Sequence, residues 1–168
     1  MEQMRIAIVS DTHGNWPVVA EAVKAAGGAD YLMFLGDYAS DGRQLEQALQ
    51  IPAWIVRGNC DDYSSEPEEQ IVELGEWRFL ICHGHRYNVK QTLQPVYYRG
   101  QEAGVDFVLY GHTHQAVYEE GDVTLINPGA VHDMNLRFQT ASWGLLTLSE
   151  KKSEKILKKY EKNTCQMV

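Results

Sequence analysis

The chain has 168 residues and a mass of 19.1 kDa, with 44% hydrophobic and 10% aromatic residues and a formal net charge of −8 at pH 7. That length suits one domain with a full core; the acidic balance argues against tight binding of long nucleic acid, which needs a basic surface, and no apolar stretch is long enough to cross a bilayer. The three cysteines, Cys60, Cys82 and Cys165, are odd in number and show no paired spacing, which argues against a disulfide framework and for a reducing, cytoplasmic setting, and "MEQMRIAIVSD" meets a charge too soon for a secretory core.

In chain order, "MRIAIVS" (4–10) is apolar and rich in β-branched residues, so it predicts a buried strand. Asn15 and Pro17 then open a helix with Val18, Val19, Ala22, Val23 and Ala26 at helical spacing, and Gly27 stops it. "YLMFLG" (31–36) predicts a second strand, "RQLEQALQ" (43–50) a short helix ending before Pro52, and "AWIVRG" (53–58) a third strand. This alternation favours a largely parallel sheet covered by helices. The second half differs. Residues 69–82 read as a hairpin turning at Gly75-Glu76, and 91–103 as a helix interrupted by Pro95 and Gly100. "VDFVLYG" (105–111) is another buried strand, and residues 116–129 and 143–160 read as two further hairpins. The basic stretch "KKSEKILKKYEK" is interleaved with Glu and reads as a solvated face. An α/β first half and a hairpin-rich second half imply two sheets sharing a core.

The functional signal stands just beyond the apolar runs. Asp11-Thr12-His13 follow the first strand, Asp37 the second, Asn59 the third, His83 the hairpin, and His112 and His114 the run at 105–111. Singly, each is ordinary: an Asp after a strand is commonly a turn or helix cap, and a lone His is commonly a rim residue. Together, seven N/O donors at five strand ends indicate one shared site, because ligands of open α/β sheets bind beyond the carboxyl ends of the strands. A glycine precedes the polar group at three of these ends, Gly36, Gly58 and Gly111, where close backbone approach is useful. Asp11 with His13, and His112 with His114, are two apart and can face the same way. Two carboxylates, an amide and four neutral imidazoles carry about −2, so two divalent ions leave about +2, which suits a hydroxide and an anionic phosphate ester. Seven ligands exceed what one ion needs, whereas a bridging Asp37 gives each of two ions four contacts. Nitrogen and oxygen donors without thiolate fit Mn²⁺, Fe²⁺, Co²⁺, Ni²⁺ or Zn²⁺.

In order, "SDTHGN" (10–15), "LGDYASD" (35–41), "RGNCDD" (57–62), "CHGHR" (82–86), "YGHTHQ" (110–115) and "INPGA" (126–130) resemble the motifs of the calcineurin-like metallophosphoesterase superfamily. The short length and "GNCD" are similar to its compact YfcE-like phosphodiesterase branch. The resemblance implies a single domain over 1–168, α/β (α+β) in class: a four-layer α-β-β-α sandwich of two mixed sheets, with a dinuclear metal site at the C-terminal ends of the strands. It implies that Asp11, His13 and His114 hold one ion, that Asn59, His83 and His112 hold the other, and that Asp37 bridges them. It adds Asn59, Cys60, Asp61 and His85 as catalytic candidates, with His85 facing substrate. Many relatives have His at position 60, where it protonates the leaving group while the acidic residue after it orients it. The thiol of Cys60 can donate a proton, but nearby carboxylates raise its pKa and make it a poor acid and a poor nucleophile, while ions across the cleft act in the opposite direction.

The expected function is therefore a cytoplasmic phosphodiesterase with two divalent ions, Mn²⁺ first among them, in which a metal-bridging hydroxide attacks phosphorus in line. Two alternatives are a phosphomonoesterase or nucleotidase, for which Arg57, Arg86 and Arg99 are the candidate extra cations, and a non-catalytic metal-binding interaction scaffold on the same fold. For the scaffold, Trp16, Tyr38, Tyr97 and Tyr98 are candidate contact residues. The expected partner is a small phosphodiester or phosphomonoester, with no membrane and no long nucleic acid, and a homo-oligomer is left open.

Overall fold

The computed structural model describes residues 3–131, 141–150 and 159–164. Strands β1 (Gln3–Val9), β2 (Tyr31–Phe34) and β3 (Ala53–Ile55) alternate with helices α1 (Trp16–Ala25) and α2 (Ala39–Leu49). Then come β4 (Glu69–Leu74), β5 (Trp77–Cys82), α3 (Gln94–Ala103), β6 (Phe107–Leu109), β7 (Val117–Glu119), β8 (Thr124–Asn127), β9 (Ser142–Ser149) and β10 (Lys159–Thr164). A short 3-10 turn, His85–Tyr87, follows β5.

These strands form two five-stranded sheets, ordered β10-β9-β1-β2-β3 and β4-β5-β6-β8-β7. Both are mixed. β1, β2 and β3 run parallel while β9 and β10 pair antiparallel; β5, β6 and β8 run parallel between antiparallel β4 and β7.

The near-continuous apolar runs follow from both faces of each sheet being covered. Ile6, Ile8, Met33 and Leu35 point to the middle, where they meet Phe79, Ile81, Phe107 and Leu109 of the other sheet. The alternate residues Ala7, Val9, Leu32 and Phe34 pack under Val19 and Val23 of α1 and Leu45 of α2. On the far side, Leu80, Cys82, Val108 and Tyr110 pack with Val96 of α3. Helix, sheet, sheet, helix is the four-layer order that the sequence implied. At its base, Trp77 donates Nε1–H to the Ser149 carbonyl at 2.6 Å.

The differences lie at element ends. α2 starts at Ala39 rather than 43, and carries Asp41 and Gly42 in its first turns. Gly42 lets it sit close, since a Cβ there would stand 2.9 Å from Phe34. β3 ends at Ile55 and β6 at Leu109 because the backbone turns away to shape the loops beyond. The helix expected from 91 starts at Gln94 with Pro95 in its first turn, the position a proline tolerates. The last hairpin forms as β9 with β10; its connection, 151–158, and Cys165 lie outside the described residues.

Candidate metal centre

Each predicted ligand leaves the C-terminal end of a strand: Asp11 and His13 after β1, Asp37 after β2, Asn59 after β3, His83 after β5, and His112 and His114 after β6. The loops turn unusually sharply. Among the described residues seven non-glycines have positive φ, and five of them are Asp11 (56°), His13 (44°), Asp37 (48°), His112 (68°) and His114 (63°). Left-handed backbone at such residues is strained and persists only where surroundings over-determine it. Those surroundings are visible. Asp11 N–H donates to the Gly36 carbonyl at 2.9 Å, Thr12 N–H to the Asp37 carbonyl at 2.9 Å, and Gly111 N–H to the His83 carbonyl at 2.9 Å. Two glycines are required by space alone. A Cβ on Gly58 would fall 2.1 Å from Asp37 Oδ1, and one on Gly111 would fall 2.1 Å from Ser10 Oγ.

The side chains converge on a common space. Among the described residues, two groups of three have ligand atoms all within 4.8 Å of one another: Asp11 with His13 and His114, and Asp11 with Asp37 and His83. His114 Nε2 lies 3.2 Å from Asp11 Oδ1, and His83 Nε2 lies 3.4 Å from Asp37 Oδ2 and 3.9 Å from Asp11 Oδ1. His112 sits beside the second group, its ring centre 5.0 Å from that of His83. His85 lies 5.5 Å from His83 and 6.1 Å from His112 on the same measure. Asn59 and Cys60 stand exposed at the lip, with Asn59 Nδ2 3.8 Å from Cys60 Sγ. Asp11 is the carboxylate common to both groups, the position that the resemblance gave to Asp37.

Two buried polar atoms decide what this space suits. Asp11 Oδ1 and His83 Nε2 are shielded from solvent and make no hydrogen bond, an arrangement that is costly unless something else satisfies them. Their partner atoms on the same side chains are fixed: Asp11 Oδ2 accepts from Ser10 Oγ at 2.5 Å and from His112 N–H at 3.3 Å, and His83 Nδ1 lies 2.6 Å from the Leu35 carbonyl. That contact places the proton on Nδ1 and leaves Nε2 as the donor of a lone pair, the orientation a metal-ligating histidine needs. The residues fit divalent cations.

Without bound ions, these groups act on one another's protonation. Burial pushes the Asp37 carboxyl up, but His83 and the Cys60 N–H outweigh it and hold it well below the usual carboxylate range. Burial pushes His83 down, and contact with Asp37 and Asp11 more than reverses this. Burial and the neighbouring His83 push His112 down to about 4 and lower His85 too. Burial, then the charges of Asp37 and Asp61, pushes the Cys60 thiol up to about 11.

Asp61 has a different task from orienting residue 60. Its Oδ2 accepts from Gly58 N–H at 2.7 Å and Asp37 N–H at 2.9 Å, and its Oδ1 from Ala39 N–H at 2.9 Å. It thereby clamps the backbone that presents Asp37. Asp41, which the sequence reading missed, does the same for the first loop: its buried Oδ2 accepts from Thr12 Oγ1 and from Gly14 N–H, each at 2.7 Å. The signal was an acid four residues before Leu45 on the apolar side of α2, hidden while the helix was read as starting at 43. Asn127 donates to the Gly111 carbonyl at 3.2 Å and to Thr113 Oγ1 at 2.9 Å, which braces the histidine pair.

Arg57 and Arg86 line a cleft of about 310 Å³ with Asn59 and His85. Arg99 instead pairs with Glu69 at 2.7 Å and does not line that cleft. Trp16 packs against the core beneath α1 and Tyr97 against that beneath α3, while Tyr38 and Tyr98 are exposed.

Carboxylates and imidazoles gathered at the strand ends of an α-β-β-α sandwich define a metal-centre fold, and comparison with known proteins identifies which one. The chain belongs to the calcineurin-like phosphoesterase superfamily, whose domain model matches residues 4–151. It is 35% identical over 150 residues to the probable metallophosphoesterase YsnB of Bacillus subtilis (strain 168), covering 86% of this chain and 85% of that one. It is 29% identical over 171 residues to phosphodiesterase YfcE of Escherichia coli (strain K12), covering 85% and 87%. Among solved structures, a predicted phosphoesterase of Streptococcus pneumoniae TIGR4 superposes with a TM-score of 0.77 at 25% identity, covering 98% of this chain and 91% of that one. Vps29 of Entamoeba histolytica complexed with Zn²⁺ superposes with a TM-score of 0.75 at 17% identity, covering 96% and 99%; that likeness shows the fold alone.

Proposed function

We propose that the protein is a single-domain, dinuclear metal-dependent phosphodiesterase of the cytoplasm, the compartment that its odd cysteine count favours. The reading rests above all on Asp11 Oδ1 and His83 Nε2, buried without hydrogen bonds between two groups of ligand atoms. Asp11, His13 and His114 would hold one ion and Asn59, His83 and His112 the other, with Asp37 as the carboxylate that the resemblance gives to both and Mn²⁺ the first expectation. When bound, the ions supply a hydroxide nucleophile for in-line attack on phosphorus at neutral pH and positive charge against the phosphoryl oxygens. The chain's own groups orient and protect. Asp61 and Asp41 fix the two loops, Gly58 and Gly111 let backbone approach the ligands, and His85 with Asn59 lines the substrate cleft.

Burial and the charges of Asp37 and Asp61 push the metal-free Cys60 thiol up to about 11, so the attack is assigned to hydroxide rather than to this thiol. As an acid so far from operating pH it assists a leaving group weakly, so aryl diesters are cleaved far faster than alkyl ones. The test is to strip metal with a chelator and restore Mn²⁺ or Ni²⁺ against a bis-aryl phosphate. Recovered turnover supports the reading, and silence in every metal overturns it. Protein that holds two ions per chain yet cleaves no ester would favour the scaffold alternative, which the fold shared with Vps29 keeps in view.

A further inference from the structure

We propose that Glu68 sets the charge of the substrate, making this a site for singly charged phosphodiesters and a poor one for doubly charged monoesters. The inference rests on the phosphoesterase reading and deepens it. Glu68 lines the cleft that also holds Asn59, a candidate ligand, and His85. A monoester brings a second negative charge, which a site selective for it meets with free guanidinium groups. Arg57 and Arg86 are the cations of this cleft, and one carboxylate occupies both. Arg57 Nη2 lies 2.9 Å from Glu68 Oε1, while Arg86 Nε lies 3.0 Å from Oε2 and its Nη2 3.0 Å from Oε1. Arg57 is held further by donating from Nη1 to the Ser64 carbonyl at 3.3 Å.

The surrounding charge points the same way. The cleft lining carries two arginines against three carboxylates, Asp61, Asp62 and Glu68. Its protein lining is therefore net negative before any ion enters. Each exposed pair alone is weak, but Glu68 acts through its charge and not through the strength of either pair. Coulomb energy scales with ligand charge, so one carboxylate at a fixed place opposes a dianion twice as strongly as a monoanion. Glu68 therefore discriminates by charge whether or not its ion pairs stay closed.

Glu68→Gln keeps the shape and removes the charge. In the metal-loaded protein, the ratio of kcat/KM for an aryl phosphate monoester to that for the diaryl diester is expected to rise about fivefold, from loss of one unit charge near the reacting phosphate. Glu73→Gln, which removes a carboxylate paired with Arg78 on the β4–β5 hairpin and outside this cleft, is expected to leave the ratio unchanged. Arg86→Gln, an exposed change that folding tolerates, is expected to lower it. Titration calorimetry supplies a readout without turnover: phenylphosphonate dianion is expected to gain about fivefold more affinity on Glu68→Gln than its methyl ester monoanion gains. A ratio that stays put or falls in Glu68→Gln overturns the inference. Absence of turnover on either ester in wild type would instead count against the phosphoesterase reading, and the calorimetric ratio would then decide the role of Glu68 alone.

Discussion

At the scale of single residues, the centre sets carboxylates and imidazoles close enough to govern one another's charge. His83 and Asp37 lie 3.4 Å apart, and in the metal-free protein they form an ion pair by default. His83 is raised above its ordinary value of 6.5, so its contribution to stability is complete below that value and is lost as pH rises through its folded value. Asp37 is held below its ordinary 3.8, so its contribution is present above that value and is lost as pH falls through the depressed one. Metal-stripped protein is therefore expected to melt highest in mildly acidic solution and lower at alkaline pH. Divalent ions need the neutral imidazole, so added Mn²⁺ reverses the trend above neutrality; melting curves at pH 5.5 and 8.5, with and without metal, check both signs. Asp37→Asn removes a buried charge from the group it forms with Asp11 and His83 and is expected to lose metal loading and turnover together, measurable by elemental analysis beside the assay. Normal activity in that variant would overturn the assignment.

At the scale of elements, the precision of the site comes from acids that touch no candidate ion. Asp61 reaches back across 24 residues to Asp37 N–H, and Asp41 across 29 residues to Thr12, so the loop after β3 and helix α2 each pin a loop that belongs to an earlier strand. Asp41→Asn keeps the shape but weakens charge-assisted bonds, and is expected to cost about 1–3 kcal/mol in urea unfolding and about tenfold or more in metal affinity. Leu45→Ala, deeper in α2, is expected to cost about 2–5 kcal/mol of stability and to leave metal affinity per folded molecule unchanged. This scale is also where the sequence was least legible. The apolar runs disclosed the strands because each is covered on both faces, and the ordered polar residues beyond them disclosed Asp11, Asp37, His83 and the histidine pair as neighbours. The start of α2, the double hold on Asp41 and the backbone clamp by Asp61 were not legible. They depend on contacts between loops distant in sequence, to which periodicity is blind.

At the scale of the whole molecule, the parallel cores of both sheets direct their loops to one end, and Trp77 with Ser149 closes the other. Ions binding only the folded state add stability by mass action, about 4 kcal/mol at a thousandfold excess over Kd, so chelation is expected to lower the melting temperature by several degrees, and a scan with chelator then Mn²⁺ checks it. The division of labour between the sheets has a temporal consequence. Asp11 meets the His112 amide across 101 positions of chain, and β1 is flanked by β9 only once residues beyond 142 exist. A ribosome releasing this protein from its first residue thus exposes Asp11, His13 and Asp37 long before His83 and His114, which complete their groups, are made. The candidate ligand groups are therefore complete only once His114 has been made, and no early stretch of the nascent chain carries either group whole apart from the rest.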